Sequence, residues 1–113
     1  MEYDIIEIVV DEKDTAMLTQ EEILSYLKEY KALKKEEYHI KSLGIFGSYA
    51  RGDADENSDI DIVVDFTEPD LLNQVGIMQE LREKFHKNVD VVALWKRMSP
   101  KLLSRIQRDA IYV

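Results

Sequence analysis

The segment from residue 59 to residue 66, Asp-Ile-Asp-Ile-Val-Val-Asp-Phe, restricts the fold of this chain more than any other stretch. Apolar and acidic residues alternate along it with the period of two that a half-buried β-strand requires. One face of the predicted strand is apolar and the other carries the acids: Ile60, Ile62, Val64 and Phe66 against Asp59, Asp61, Val63 and Asp65. An apolar sheet face must be covered, so we expect helices packed on a sheet.

Three longer helices are predicted around this strand. Thr19 and Glu22 form a capping box that begins the first helix, which is expected to reach about residue 37. The second helix is expected over about 71–86, and Ser99-Pro100 begins the last one. The side chains predicted to face the core are Ile23, Leu27, Tyr30 and Leu33 in the first helix, Leu71, Val75, Met78, Leu81 and Phe85 in the second, and Leu102, Leu103 and Ile106 in the third.

Further strands are predicted at 39–46 and 88–94, with a short edge strand at 110–113. The alternation of helices and strands indicates an α/β sandwich on a small sheet. An apolar run within residues 1–10 predicts one more short strand, whose place in the fold stays open.

Composition and charge exclude several classes of protein. The chain has 113 residues, which fits one domain, and a net charge of −8, which argues against general binding of nucleic acid backbones. Cysteine is absent, so neither disulfides nor thiolate metal sites are expected. No apolar run is long enough for a membrane helix, and the acidic N-terminus differs from a signal peptide, so a cytoplasmic location is expected. Homo-oligomers and an assembly with a partner both stay open.

The charge is unevenly distributed. Residues 96–108 hold five bases and no acid: Lys96, Arg97, Lys101, Arg105 and Arg108. This segment would suit a triphosphate or an acidic partner, and it would equally suit a solvated helix face.

The paired aspartates of the acidic strand are the strongest chemical signal. Asp59 and Asp61, at positions i and i+2, point to the same face with Cα atoms about 6.5–7 Å apart. Two carboxylates so placed repel each other unless a cation neutralises them, and hard oxygen ligands suit Mg²⁺. Asp90 interrupts the apolar strand at 88–94 and is the natural third ligand if the two strands are neighbours. Three such carboxylates match two-metal phosphoryl chemistry, with Asp90 acting as a ligand or as a base for an attacking hydroxyl.

A glycine turn precedes this strand, in Gly47-Ser48-Tyr49-Ala50-Arg51-Gly52. Gly47 would let the backbone approach a phosphate, and Ser48 would either cap the following short helix or donate its hydroxyl to a phosphate oxygen. Arg51 lies one turn further on and would add a charged contact to a triphosphate. No Gly-Lys-Ser/Thr follows, so the turn is not a Walker A loop.

These residues resemble the DNA polymerase β-like nucleotidyltransferase superfamily, whose signature is Gly-Ser, a short spacer and Asp-x-Asp, with a third Asp on a later strand. Here Gly47-Ser48 is followed by residues 49–58 and then by Asp59-Ile60-Asp61, with Asp90 downstream. Within the superfamily the chain is similar to the minimal nucleotidyltransferase (MNT) domain. The similarity covers about residues 20–113 and is closest in 46–52 and 58–61. It implies an N-terminal extension over residues 1–18 and one minimal nucleotidyltransferase domain over residues 19–113.

The resemblance implies a small mixed β-sheet flanked by helices, with ATP as substrate and two Mg²⁺ ions as cofactor. Many MNT proteins are antitoxins that adenylylate a tyrosine of a HEPN-domain RNase toxin, so a HEPN-type toxin is the expected partner. Carried over residue by residue, the resemblance implies that the metal ligands and catalytic residues are Asp59, Asp61 and Asp90, and that the nucleotide contacts are Gly47, Ser48 and Arg51.

Other conspicuous residues receive structural interpretations. Trp95 is expected to be a half-buried anchor, although stacking on a base or a partner is the alternative. Asp65 is interpreted as a peripheral acid, and His39 and His86 as surface or strand-end residues. Tyr26 and Tyr30, on the first helix, are expected to pack.

Three functions are compatible with this sequence. The first is a protein adenylyltransferase that acts as an antitoxin. The second is a binding module that neutralises a partner without catalysis. The third is a transferase that acts on a small molecule or an RNA end, which ranks last because 113 residues leave little room for an acceptor domain.

Overall fold

The computed structural model describes residues 18–113, and the short strand predicted within residues 1–10 lies outside them. In chain order the elements are α1 (Gln20–Lys34), β1 (Ile40–Phe46), α2 (Ser48–Arg51), β2 (Ile60–Phe66), α3 (Leu71–Phe85), β3 (Val89–Ala93), α4 (Pro100–Asp109) and β4 (Ile111–Tyr112). Strands predicted from the period of two and helices predicted from their caps are therefore confirmed, with small differences at their ends.

The four strands form one mixed sheet in the order β3-β2-β1-β4. β2 runs parallel to β3 and antiparallel to β1, and β1 also pairs antiparallel with β4. Gly44 permits the last pairing, because a Cβ on this residue would overlap the carbonyl oxygen of Ile111 and lie 2.9 Å from the Cα of Tyr112. The predicted edge strand at the C-terminus is thus held against β1.

The two faces of the sheet are covered differently. One face packs on α1 and α3 and holds the main core, which includes Ile23, Leu27, Ile45, Ile62 and Leu81. The other face meets α4 through a smaller cluster of buried residues, namely Phe46, Val63, Met98 and Ile106. The acids of β2 lie on this second face, because they alternate with the residues of the main core.

Side-chain caps begin the longer helices as predicted. Thr19 and Glu22 form the full capping box of α1. Ser99 accepts a hydrogen bond from the backbone N–H of Leu102, with Pro100 in the first turn of α4. These caps satisfy backbone donors that a helix start leaves unpaired.

Three predictions about burial were wrong. Leu33 is 80% exposed in the last turn of α1, which ends at Lys34, and the buried residues of this helix are Ile23, Leu27 and Tyr30. Leu71 is 72% exposed at the first position of α3, whose buried row is instead Ile77, Leu81 and Phe85 at intervals of four residues. Trp95 is 60% exposed and lines an open groove, so it is not a half-buried anchor.

The smaller interpretations agree with the structure. Tyr30 is buried in the core, with Tyr26 packed partly buried beside it. His39 precedes β1, and exposed His86 ends α3; both have positive φ angles. Within residues 18–113, no helix combines the length and the apolar character that spanning a membrane requires.

Candidate active site

Asp61 and Asp90 lie side by side on the sheet. They are register partners on the parallel strands β2 and β3, and register partners point to the same face. The next pair two residues along, Val63 and Val92, packs into the cluster under α4, which fixes the face that the two aspartates share. The predicted neighbourhood of the two acids is therefore a consequence of the strand order.

The charges of the aspartates act on one another. Burial raises the pKa of the Asp61 carboxyl above its ordinary value, and the negative charges of Asp90 and Asp59 raise it further. Arg105 of α4 and Arg51 oppose this effect. Excess negative charge at a half-buried carboxylate is the electrostatic condition under which a bound cation stabilises a site.

Gly47 makes room for the Asp61 carboxylate. Its φ of 74° and ψ of −153° lie in a region that is essentially restricted to glycine. A Cβ at this position would overlap the carboxylate oxygen of Asp61 and lie 3.2 Å from its Cγ. The glycine turn and the Asp61 side chain are therefore in direct contact, which the sequence interpretation of Gly47 as a phosphate contact did not anticipate.

Hydrogen bonds from the first residue of α1 hold the short helix α2 in place. Gln20, the first residue of α1, donates hydrogen bonds from its amide to the carbonyl oxygens of Tyr49 (2.9 Å) and Ala50 (3.0 Å). Gly47 is the N-cap of α2 and no side chain caps it, so of the two alternative roles predicted for Ser48 the helix cap is wrong. The Ser48 hydroxyl is consequently not committed to a cap.

Arg51 is the last residue of α2. Its guanidinium donates to the carboxylate of Asp109 from Nη1 at 3.0 Å and to that of Asp53 from Nε at 3.2 Å. The predicted contact to a triphosphate would therefore have to use donors that these two carboxylates leave free. The basic segment at 96–108 contributes to the site through Arg105, whose charge acts on Asp61.

The donor set fits magnesium as an open site. Within residues 18–113, no group of three His, Cys, Asp or Glu side chains is placed to hold a metal ion, so the structure does not assemble the predicted three-ligand set of Asp59, Asp61 and Asp90. Magnesium commonly uses one or two carboxylates and completes its octahedron with water and substrate phosphates. Adjacent Asp61 and Asp90, with Asp59 nearby and no thiol or imidazole among them, provide that kind of partial ligand set.

Sequence reasoning missed two residues that shape the site, Gln20 and Asp109. Both act on α2 from distant parts of the chain, Gln20 across 29 or 30 residues and Asp109 across 58. Gln20 looked like an ordinary residue inside a capping box. An acid at the last residue of α4 was the only local signal for Asp109, because helix ends favour bases there.

Comparison with known proteins identifies the family to which this fold belongs. Residues 21–113 match the family model "Polymerase beta, Nucleotidyltransferase". The protein adenylyltransferase MntA of Thermococcus cleftensis is 38% identical over 99 residues, a match covering 87% of this chain and 99% of the relative. A solved structure described as a minimal nucleotidyltransferase has a TM-score of 0.68 at 29% identity and covers 85% of this chain and 97% of its own.

A crystal structure of a toxin–antitoxin with AMP-PNP is also similar, with a TM-score of 0.61 at 27% identity over 74% of this chain and 70% of that one. The structural matches confirm the expected α/β fold with a small mixed sheet flanked by helices. The family match spans most of the sequence and includes the glycine turn and all three aspartates. This chain belongs to the polymerase β-type nucleotidyltransferase family and is a nucleotidyltransferase.

Proposed function

We propose that this chain is a Mg²⁺-dependent protein adenylyltransferase that transfers AMP from ATP to a tyrosine of a HEPN-domain toxin and so acts as an antitoxin. The observation that carries the proposal is the register pairing of Asp61 and Asp90 beside the Gly47 turn. Two comparisons support it: a relative named protein adenylyltransferase MntA, and a similar structure of a toxin–antitoxin with the ATP analogue AMP-PNP.

The proposed reaction is an in-line transfer. The acceptor hydroxyl oxygen forms a bond to the α-phosphorus while the bond from that phosphorus to the pyrophosphate group breaks. Asp90, exposed at the edge of the sheet, receives the hydroxyl proton, and pyrophosphate leaves with the electron pair of the broken bond. Asp59, Asp61 and Asp90 would hold two Mg²⁺ ions, which neutralise the triphosphate and lower the pKa of an attacking hydroxyl.

The glycine turn binds the nucleotide in this scheme. Gly47 has no side chain between the turn and Asp61, and the uncommitted Ser48 hydroxyl is available to a phosphate oxygen. Arg51 adds a charged contact through its remaining donors. The proposal assigns catalysis to residues 19–113 and treats residues 1–18 as an extension, in line with α1 beginning at Gln20 and the family match beginning at residue 21.

Intact mass of the acceptor tests the proposal. The purified chain is incubated with ATP, MgCl₂ and a HEPN-domain toxin as acceptor, and the intact mass of the acceptor is measured by mass spectrometry. We expect the partner to gain whole AMP units, with loss of the gain after EDTA or after Asp59→Asn/Asp61→Asn. Peptide mapping should place the added AMP on tyrosine.

Asp65→Asn is the matched control. Asp65 lies on the same strand and the same face as Asp61, but it faces Lys41, with the Asp65 oxygen 4.0 Å from the lysine Nζ. This variant should modify the partner at the wild-type rate. If the wild-type chain adds no AMP, and Asp59→Asn/Asp61→Asn still neutralises the toxin, then neutralisation is by binding alone and the enzymatic proposal is wrong for this partner.

A further inference from the structure

Asp109 occupies a position where an acid is locally unfavourable. It is the last residue of α4, where the negative end of the helix dipole repels a carboxylate. Only 3% of its side chain is exposed, compared with 40% for Arg51. A covered carboxylate at the wrong end of a helix requires partners that offset both penalties.

Two arginines supply these partners. Arg108 donates to the carboxylate from Nε at 2.8 Å and from Nη2 at 3.1 Å, and Arg51 donates from Nη1 at 3.0 Å. The two hydrogen bonds from Arg108, followed by the one from Arg51, lower the pKa of Asp109 to about 2. The carboxylate is therefore ionised at neutral pH and ties the end of α4 to the end of α2.

Asp53 is a weaker partner of the same guanidinium. It accepts from Nε of Arg51 at 3.2 Å and from Nη2 at 3.5 Å, but 61% of its side chain is exposed in the loop that follows α2. An exposed ion pair within one loop contributes little, because water screens the charges. Asp109 is the partner that is covered from water, so its hydrogen bond to the guanidinium is less weakened by solvent than those of Asp53.

Arg51 keeps donors for a ligand in this arrangement. A guanidinium has five N–H groups, and the two carboxylates use one each on Nε, Nη1 and Nη2. One N–H on each terminal nitrogen stays free. Arg51 lies at the end of α2, and α2 begins directly after the Gly47 turn that contacts Asp61.

The geometry points to Asp109 as a positioning residue that holds the Arg51 guanidinium beside the Gly47 turn, with its free N–H groups directed at the nucleotide triphosphate. This inference rests on the proposed function, since it requires that ATP binds at this turn. Holding the planar guanidinium before the ligand arrives removes an ordering cost from binding. Asp109 itself touches neither substrate nor metal in this scheme.

Nucleotide binding separates this role from its alternatives. The dissociation constant of AMP-PNP with MgCl₂ is measured calorimetrically for the full chain and for Asp109→Asn, Arg51→Ala, the double variant and Asp53→Asn. We expect Asp109→Asn to weaken binding about tenfold, the change that corresponds to losing one charge-assisted hydrogen bond. In the Arg51→Ala background, Asp109→Asn should cause no further loss, and Asp53→Asn should bind like the wild type.

The remaining controls distinguish positioning from general damage. Asp109→Glu keeps the carboxylate and should recover part of the lost affinity, and thermal melting shows whether each variant is folded. In the transfer assay, Asp109→Asn should raise KM for ATP more than it lowers kcat, because the contact to phosphate is made before the transition state. Equal or tighter AMP-PNP binding by folded Asp109→Asn, or an equal loss in the Arg51→Ala background, overturns the inference. Failure of the wild-type chain to bind AMP-PNP would instead overturn the proposed function.

Discussion

Replacement of Gly47 by alanine tests the contact between the glycine turn and the Asp61 carboxylate. The new Cβ would overlap an oxygen of Asp61 and lie 3.2 Å from its Cγ and 3.4 Å from its Cβ. Because β2 is paired on both sides, the Asp61 backbone cannot retreat, and its side chain must rotate away. The substitution therefore strains the turn and displaces a predicted metal ligand at once.

Gly52→Ala is the matched control. Gly52 also has a positive φ, 86°, but a Cβ there would meet nothing within 4 Å. Its conformation is left-handed helical, for which alanine costs about 1 kcal/mol. The conformation of Gly47 is less accessible still, and its backbone strain alone costs about 1–3 kcal/mol. With the displaced carboxylate added, we expect Gly47→Ala to lower the free energy of unfolding by about 2–4 kcal/mol.

Urea denaturation and AMP-PNP binding measure the two effects separately. Gly52→Ala should be mildly destabilised and bind AMP-PNP with MgCl₂ like the wild type. Folded Gly47→Ala should lose at least about tenfold in affinity, corresponding to the loss of one charge-assisted contact. If Gly47→Ala binds normally, or if both variants lose the same stability, the close approach of Gly47 to Asp61 does not shape the site.

Three further predictions concern stability. Asp61→Asn should raise the urea midpoint at pH 7 without divalent ions. Burial and the charge of Asp90 raise the folded-state pKa of Asp61. Its stabilising contribution is therefore present below its unfolded-state pKa and lost as the pH rises through its folded-state pKa. An equal rise of the urea midpoint at pH 3 would contradict this reasoning. Glu80→Gln should lower the unfolding free energy by about 1 kcal/mol at pH 7, allowing for its partial exposure, because Glu80 accepts hydrogen bonds from Tyr30 (2.6 Å) and Tyr38 (2.7 Å). Burial acts to raise the pKa of Glu80, but these hydrogen bonds outweigh burial and lower the pKa. The contribution of Glu80 to stability is therefore present above its unfolded-state pKa and lost as the pH falls through its folded-state pKa. The variant should consequently lose less stability than the wild type as the pH falls in pH-dependent melting. Tyr49→Phe should leave stability unchanged or raise it by up to about 1 kcal/mol in the same urea assay, since the buried Tyr49 hydroxyl has no hydrogen-bond partner within residues 18–113; a clear loss would reveal a bound water or partner.

Several features of the fold follow from local sequence alone. The alternation in 59–66 predicts β2 and the face of each of its acids, and the capping box at Thr19 predicts where α1 begins. Such signals are readable because strand period and helix capping involve residues only two or three positions apart. The exposure of Leu33 and Leu71 does not follow from local sequence, because both lie in terminal turns of their helices and helix periodicity does not show which turns are packed.

The contacts of the site belong to the tertiary structure. The spacing of Gly47, Asp59 and Asp61 indicates nucleotidyl transfer, yet only the parallel pairing of β2 with β3 sets Asp90 beside Asp61. Likewise, the contact of Asp109 with Arg51 joins residues 58 positions apart. Short-range order is encoded by neighbouring residues, whereas strand order and the meeting of helix ends depend on how the whole chain buries its apolar surface.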